Sequence, residues 1–342
     1  MFVTWAVLIA YGMGESLVRL RSLNWPETWR VAEWSGVLLV LLPLSQLLRN
    51  WTAIDGSHRT FTEDYAANSL NGLPQNAILF TVGDNDTWPL VYMQVAGRLR
   101  PDVQIVNLSL ANTTWYVDEL VRSDPSFPFP RGEESHLSMR PWTDTTLVIP
   151  VVGSAAEFGL PNGLALPDSI AVRAAPTIAG KYVVPQDLVL LQILENNRWR
   201  RPLCFSTTMG EQGPFGVTWL RPYRRLDGLF WRVVPHADPP VNGAILQKNL
   251  LETYAYRGYA ERNLPLDEAS RGIGLSYYPP FVTLTRAQYA HGERDRCRAS
   301  RDAMSDALPV SRLQPDSTLR QAIERLCEPA GAVSPVASSG VH

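Results

Sequence analysis

The stretch Asn76-Ala-Ile-Leu-Phe-Thr-Val-Gly-Asp-Asn-Asp-Thr-Trp-Pro-Leu90, continued by Arg100-Pro-Asp-Val-Gln-Ile-Val-Asn-Leu-Ser-Leu110, decides the fold class. An apolar run of strand length, Ala77 to Val82, ends in Gly83 and a carboxylate pair. Helix-compatible sequence follows from Thr87 to Arg98, with Pro89 in its first turn, and a second apolar run spans Val103 to Leu108. No turn dipeptide separates the two runs, so they read as a strand–helix–strand unit. Both strands are apolar almost throughout, as parallel strands covered on both faces are. The polar residues collect where strand gives way to helix, the edge at which ligands gather in parallel α/β sheets. The expected fold is therefore α/β, a Rossmann-like parallel sheet.

Before this unit, Thr60 to Leu73 has helical spacing, with Phe61, Tyr65, Ser69 and Leu73 on one stripe, and Pro74 stops it. After it, Thr113 to Arg122 reads as a helix and Ser123 to Arg131 as an irregular proline-rich segment. A strand is expected at Thr145 to Val152, then a loop-rich insertion from Gly159 to Ala179 holding at most a short strand at Ser169 to Val172. Pro185 to Asn197 reads as an amphipathic helix with Leu188, Leu191, Gln192 and Leu194 to Glu195 alternating at helical intervals. Strands follow at Leu203 to Thr207 and Leu229 to Val234, and Pro235 to Pro240 reads as a boundary. Helices are expected beyond it at Ala244 to Arg262, Thr285 to Leu308 and Thr318 to Cys327.

The first fifty residues differ in kind. Met1 to Gly14 and Trp34 to Leu48 carry no charged side chain, and Arg19, Arg21 and Arg30 lie between them. Each run is shorter than the roughly 20 residues that span a bilayer, and the second reaches that length if Val31 and Ala32 join it. Trp34 and Trp51 stand where interfacial aromatics belong, and the arginines would hold the connecting loop in the cytoplasm. No basic residue or small-residue cleavage site marks the first run as a signal peptide. The alternative is a pair of buried helices. The expected organisation is one or two transmembrane helices with a short cytoplasmic loop over 1–50, an extracytoplasmic α/β domain over 51–240, a small helical extension over 241–329 and a disordered tail over 330–342. That places the chain at the inner (cytoplasmic) membrane with its folded domain outside.

Composition narrows the function. Of 342 residues, 19% are charged and 45% hydrophobic, which favours folding over disorder. The net charge of −2 gives no basic footprint for nucleic acid. Three cysteines without a Cys-x-x-Cys, and five histidines far apart, speak against a closed zinc site. Cys297 and Cys327 are expected as separate buried thiols, or as a disulfide if their region is extracytoplasmic. The sequence holds no Walker loop, no Gly-x-Ser-x-Gly, no His-Glu-x-x-His and no Gly-x-Gly-x-x-Gly.

Asp84-Asn85-Asp86 is the one carboxylate pair with a suggestive position. After a buried strand, an Asp-x-Asp can hold Mg²⁺ or Mn²⁺ on a nucleotide-sugar diphosphate. A phosphatase pattern Asp-x-Asp-x-Thr fails because Trp88 occupies its fifth position. The alternative is local structure: Gly83 turns the chain and Asp84 or Asp86 caps the helix, where the dipole also favours a carboxylate. Thr87 continues this candidate ligand-binding set, and Asn107, Ser109 and Asn112 end the second strand where they could line the same crevice or form turns. Trp88, Trp115, Trp142 and Trp199 are candidates for stacking on sugars or for core packing. Arg198, Arg200 and Arg201 could meet a phosphate or solvate a helix end.

Several blocks carry a family resemblance: Asp64-Tyr65-Ala66, Asn76 to Thr81, Gly83-Asp-Asn-Asp-Thr87, Pro89-Leu90, Arg100-Pro-Asp102, Val106 to Leu110, and Asn112 with Trp115 and Tyr116. With Asp187, Leu188, Asn197 and Arg201, and with Gly228 to Pro235, they resemble the region after the last membrane helix of bacterial protein O-mannosyltransferase-like proteins, which are multi-spanning and of GT-C type. The resemblance covers about Trp51 to Pro240, with Trp88 standing where Phe is expected. It implies a polyprenyl-phosphate-sugar-dependent transferase acting on a glycan or protein acceptor outside the membrane. In such enzymes the acidic catalytic residue lies in the first external loop of a many-helix core, so no catalytic residue carries over. The implied role is accessory or acceptor-positioning, beside a catalytic membrane core encoded upstream or as a partner. The alternatives are a stand-alone glycan-binding module of the envelope and a metal-dependent transferase or hydrolase using Asp84 and Asp86.

Overall fold

The computed structural model describes residues 2–22, 41, 43–51, 55–57, 59–129, 140–141, 146–173, 182–209 and 217–328. Contacts divide the chain into one unit of residues 1–58 and a second from residue 59 onward. In the first unit, helix α1 (Phe2–Ser22) runs through the uncharged stretch and on past Glu15 and Arg19, which form an ion pair at 3.4 Å one turn apart. The expected cytoplasmic loop thus begins inside a helix. Among the described residues no helix is long and apolar enough to cross a membrane, which overturns the expectation of one or two transmembrane helices. Residues 31–40 and 42 of the second expected segment, the tail 330–342 and Trp142 lie outside the described residues.

The second unit opens with helix α2 (Phe61–Gly72), which carries the expected stripe inward: Phe61, Tyr65, Ser69 and Leu73 are all buried. Strand β1 (Ile78–Thr81) follows, then α3 (Asp84–Val95), β2 (Gln104–Asn107) and α4 (Thr114–Ser123). All four residues of β1 are buried, because both its faces are covered. Ile78 and Phe80 pack with Val189, Leu190, Ile193 and Leu194 of α5 (Pro185–Asn197). Leu79 packs on the other side with Ala66 and Leu70 of α2 and Leu90 of α3. On α5 Leu194 of the expected stripe is buried, while Val189, Leu190 and Ile193 meet the sheet in place of the expected Leu188 and Leu191.

Strands β3 (Arg140–Pro141) and β6 (Tyr182–Val183) form one small antiparallel pair, and β4 (Thr146–Pro150) and β5 (Ser169–Arg173) another. The main sheet is completed by β7 (Leu203–Ser206), β8 (Arg224–Leu226) and β9 (Phe230–Val233), in the order β2-β1-β7-β9-β8. Strands β2 and β7 flank β1 in parallel, but β9 runs antiparallel to both β7 and β8. The sheet is therefore mixed, and the Rossmann-like parallel expectation is overturned. The reason lies in the tight turn at Gly228-Leu229, closed by the Asp227 N–H donating to the Phe230 carbonyl at 3.1 Å, which folds β9 back on β8. Gly228 has φ 141°, and a Cβ there would collide with the Tyr254 hydroxyl and approach Asn249 Nδ2 at 3.2 Å. Beside it, Arg225 and Asp227 form a buried bidentate ion pair, Nε–Oδ1 2.7 Å and Nη2–Oδ2 2.8 Å, while Arg225 Nη1 donates to the Gly159 carbonyl at 2.7 Å.

The helical extension comprises α6 (Gly243–Gln247) running into a π-turn at Lys248–Thr253, then α7 (Glu268–Ser276), α8 (Tyr278–Ala290), α9 (Arg294–Ala307), α10 (Val310–Leu313) and α11 (Ser317–Glu324). The single helix expected over Thr285 to Leu308 breaks at Gly292, which has φ 78°. Phe61 and Tyr65 of α2 share a core with Leu246, Leu250, Tyr254, Tyr259, Tyr277 and Phe281, so α2 is wedged between sheet and extension. Cys297 and Cys327 form a disulfide across 30 residues. Replacing Gly228 by Ala should lower stability by about 1–3 kcal/mol, since a left-handed backbone and a filled space are both violated there. Urea unfolding of the variant against the parent checks this.

Candidate functional site

Gly83, at φ 80°, ends β1 and lets α3 begin at Asp84, three residues earlier than the spacing predicts. The whole Asp-Asn-Asp-Thr sequence is thereby the first turn of a helix, and Pro89 falls within the helix, where it offers no N–H to the Asn85 carbonyl. One helical turn points its side chains in different directions, and here it separates the candidates.

Asp86 turns inward and is only 3% exposed. Its Oδ1 accepts from the Tyr65 hydroxyl at 2.7 Å and from Ser206 Oγ at 2.8 Å, and its Oδ2 accepts from the Val82 N–H at 3.2 Å. Ser206 Oγ also lies 2.8 Å from Thr208 Oγ1. Capping thus takes an unusual form: no side chain caps at Gly83, and the third helical residue reaches back to the strand end. Thr87 is buried too, donating to the Gly83 carbonyl at 2.7 Å, with Thr81 Oγ1 at 2.8 Å. Asn107 Nδ2 donates to Thr87 Oγ1 at 2.8 Å, and Asn107 Oδ1 accepts from the Leu110 N–H at 3.0 Å. Asp86 with Tyr65 and Ser206, and Thr87 with Thr81 and Asn107, therefore form two adjacent hydrogen-bonded sets at the buried end of β1, β2 and β7.

Ser109 and Asn112 stand apart from this cluster. Asn112 exchanges hydrogen bonds with Gln186, Nδ2 to Oε1 at 2.8 Å and Gln186 N to Oδ1 at 3.1 Å, which ties the turn after β2 to the start of α5. The Ser109 carbonyl accepts from the same amide at 3.2 Å. Arg201 is buried against Asp124 and donates to the Asn76 carbonyl at 2.9 Å, so it serves the fold.

Asp84 and Asn85 face outward. The Trp88 indole N–H donates to Asp84 Oδ1 at 2.9 Å, fixing a ring that remains 50% exposed. Trp88 and Tyr92, one turn apart, line a cleft of about 770 Å³ with Glu63, Asp84, Asn85 and Ile273 of α7. Trp115 is exposed elsewhere, and Trp199 donates to the Pro150 carbonyl at 3.0 Å and packs edge-on against Phe158. The carboxylates of Asp84 and Asp86 thus occupy different environments, one in the cleft wall and one in the core. Among the described residues, no group of three or more His, Cys, Asp or Glu is placed to hold a metal ion.

Sequence reasoning missed Tyr65 and Ser206 as partners of Asp86, because they lie 21 and 120 residues from it and no spacing signals the contact. Tyr92 was legible as the i+4 neighbour of Trp88; Ile273 was not.

Helix α2 is also tied to the chain that follows the π-turn. Asp64 accepts from the Arg257 N–H at 2.9 Å and from its Nε at 2.8 Å, and Asn68 spans Ala255 with Oδ1 from N at 2.8 Å and Nδ2 to O at 2.7 Å. Residues 62–134 and 163–249 match TMEM260-associated domain 2. The chain is 30% identical over 101 residues to a mouse (Mus musculus) protein described as protein O-mannosyl-transferase TMEM260, covering 30% of this chain and 14% of that protein. Its Dictyostelium discoideum counterpart, protein O-mannosyl-transferase tmem260, is 29% identical over 80 residues, 23% of this chain and 10% of that protein. The chain therefore spans a small part of the length of these relatives. No solved structure matches it. The matched segments contain α2 from residue 62, Asp86 and Trp88.

Burial drives the Asp86 carboxyl above the ordinary carboxylate range, with the bonds from Tyr65, Thr208, Ser206 and Val82 pulling the other way. Its contribution to stability is then greatest below that ordinary range and is lost as pH rises through the raised folded value. Stability of the parent relative to Asp86→Asn should fall over that window, read from denaturation midpoints at successive pH. Asp86→Ala removes the shared acceptor of Tyr65, Ser206 and Val82 and should cost about 3 kcal/mol.

Proposed function

We propose that this chain is an acceptor-positioning domain in protein O-mannosyl transfer, presenting a polypeptide or glycan to a GT-C-type centre in a membrane-embedded core. The observation that carries the reading is the Trp88 ring. Asp84 holds it in place, half of it is open to solvent, and it forms the wall of the cleft beside Tyr92. An aromatic held before the ligand arrives adds contact area without an ordering cost. Glu63, Asp84 and Asn85 supply acceptors for hydroxyl or amide donors along the same wall.

The names of the mouse and Dictyostelium relatives support O-mannosyl transfer as the setting, and the polyprenyl-phosphate sugar donor would bind the core rather than this chain. No residue here is assigned a step in the transfer. The Cys297–Cys327 disulfide supports an extracytoplasmic location, since such bonds persist in oxidising compartments.

The test is calorimetric titration of the 342-residue chain with Ser/Thr-rich peptides, unmodified and O-mannosylated. Binding that weakens at least tenfold in Trp88→Ala, about 1.4 kcal/mol, with an unchanged melting temperature, is the expected outcome. A parent chain that binds neither peptide form defeats the proposal.

A further inference from the structure

The charge in the Trp88 cleft is one-sided. Glu63 and Asp84 line it, and among the described residues of its wall none is basic. Asp84 Oδ1 accepts from the Trp88 indole N–H, a neutral donor, and among the described residues no cation pairs with this carboxylate. The Arg257 guanidinium reaches Glu63 at 3.5 Å, but it is committed to the buried Asp64 carboxylate, to which its Nε donates at 2.8 Å. Arg257 and Glu63 are both more than half exposed, so their contact does little to neutralise Glu63.

The same wall presents aromatic faces. Trp88 is 50% and Tyr92 66% exposed, one helical turn apart on α3. A cation over the face of either ring is attracted by its π electrons. Donation of the indole N–H to a carboxylate polarises the Trp88 ring in the sense that strengthens this attraction. It also holds Asp84 at the ring edge, where a planar guanidinium stacked on the ring can donate to it. A lysine ammonium, compact and strongly hydrated, cannot stack in this way. A neutral sugar or hydroxyl side chain leaves both carboxylates without a counter-charge.

We infer that this cleft is a guanidinium site, taking an arginine side chain of the acceptor on the Trp88 ring with Asp84 as its counter-ion. The domain then selects acceptor segments by a basic residue rather than by their hydroxyl groups. That the arginine belongs to a polypeptide acceptor rests on the acceptor-positioning role proposed above; the guanidinium site itself does not.

The test is NMR of the full chain, following the Trp88 indole N–H during titration with Nα-acetylarginine N-methylamide and with its citrulline counterpart, a neutral compound of the same shape. The arginine compound should shift that signal and bind about tenfold more tightly than the citrulline one, and added salt should narrow the difference. Asp84→Asn keeps an oxygen for the indole N–H and removes the charge. It should weaken arginine binding several-fold and leave citrulline binding unchanged. Glu63→Gln should also weaken arginine binding and carries the test should the Asp84 variant fail to fold. An unmoved Trp88 signal, equal binding of the two compounds, or undiminished arginine binding in either folded variant would overturn the assignment. The two proposals fail separately. If the small arginine compound binds but no Ser/Thr-rich peptide does, the guanidinium site stands and the acceptor role falls. If arginine and citrulline versions of one peptide bind equally, the acceptor role stands and the guanidinium site falls.

Discussion

The rest of this structure depends on the burial of the carboxylate of Asp86 at the end of a strand covered on both faces. Strand β1 has no solvent side, so polar groups where it meets α3 must find partners within the protein. Asp86 supplies the acceptor for three of them, from α2, from β7 and from the strand end itself. Thr87 and Asn107 extend the arrangement to β2. Four elements distant in sequence are held in register by one helical turn, and α2 in turn clasps the extension through Asp64 and Asn68.

The same turn explains why one motif serves two purposes. Residues at its inner positions, Asp86 and Thr87, belong to the core, while Asp84, Asn85 and Trp88 project into the cleft. A rigid interior anchor positions an exposed aromatic with little freedom, which suits a binding surface. Asp102 adds a separate support: Arg100 hydrogen-bonds it and holds its carboxyl down at about 2, while the same guanidinium reaches the Leu70, Leu73 and Pro74 carbonyls at the end of α2.

Much of the central unit was legible because its signals are local. The apolar runs of β1 and β2, the stripe on α2 and the short strand at Ser169 follow from periods of two and 3.6 residues. Sheet direction was not legible from the runs themselves, since a parallel and an antiparallel neighbour of β7 are equally apolar, and the turn at Gly228 speaks only for the β8–β9 pair. The charged second half of α1 shows the same limit, because an uncharged run does not say where its helix stops. At the candidate site, spacing put Asp84 and Asp86 together, whereas the helical twist turns one out and one in. The partners that decide the role of Asp86 come from Tyr65 and Ser206, contacts that only the assembled sheet creates.

The division of that motif into an interior and an exterior half is most directly tested by carboxyl-carbon NMR of Asp84 and Asp86 across pH, with and without millimolar Mg²⁺. The account predicts that Asp86 titrates above the ordinary carboxylate range and that its signal does not move with the cation. An Asp86 signal that titrates in the ordinary range, and shifts together with that of Asp84 when Mg²⁺ is added, would contradict it.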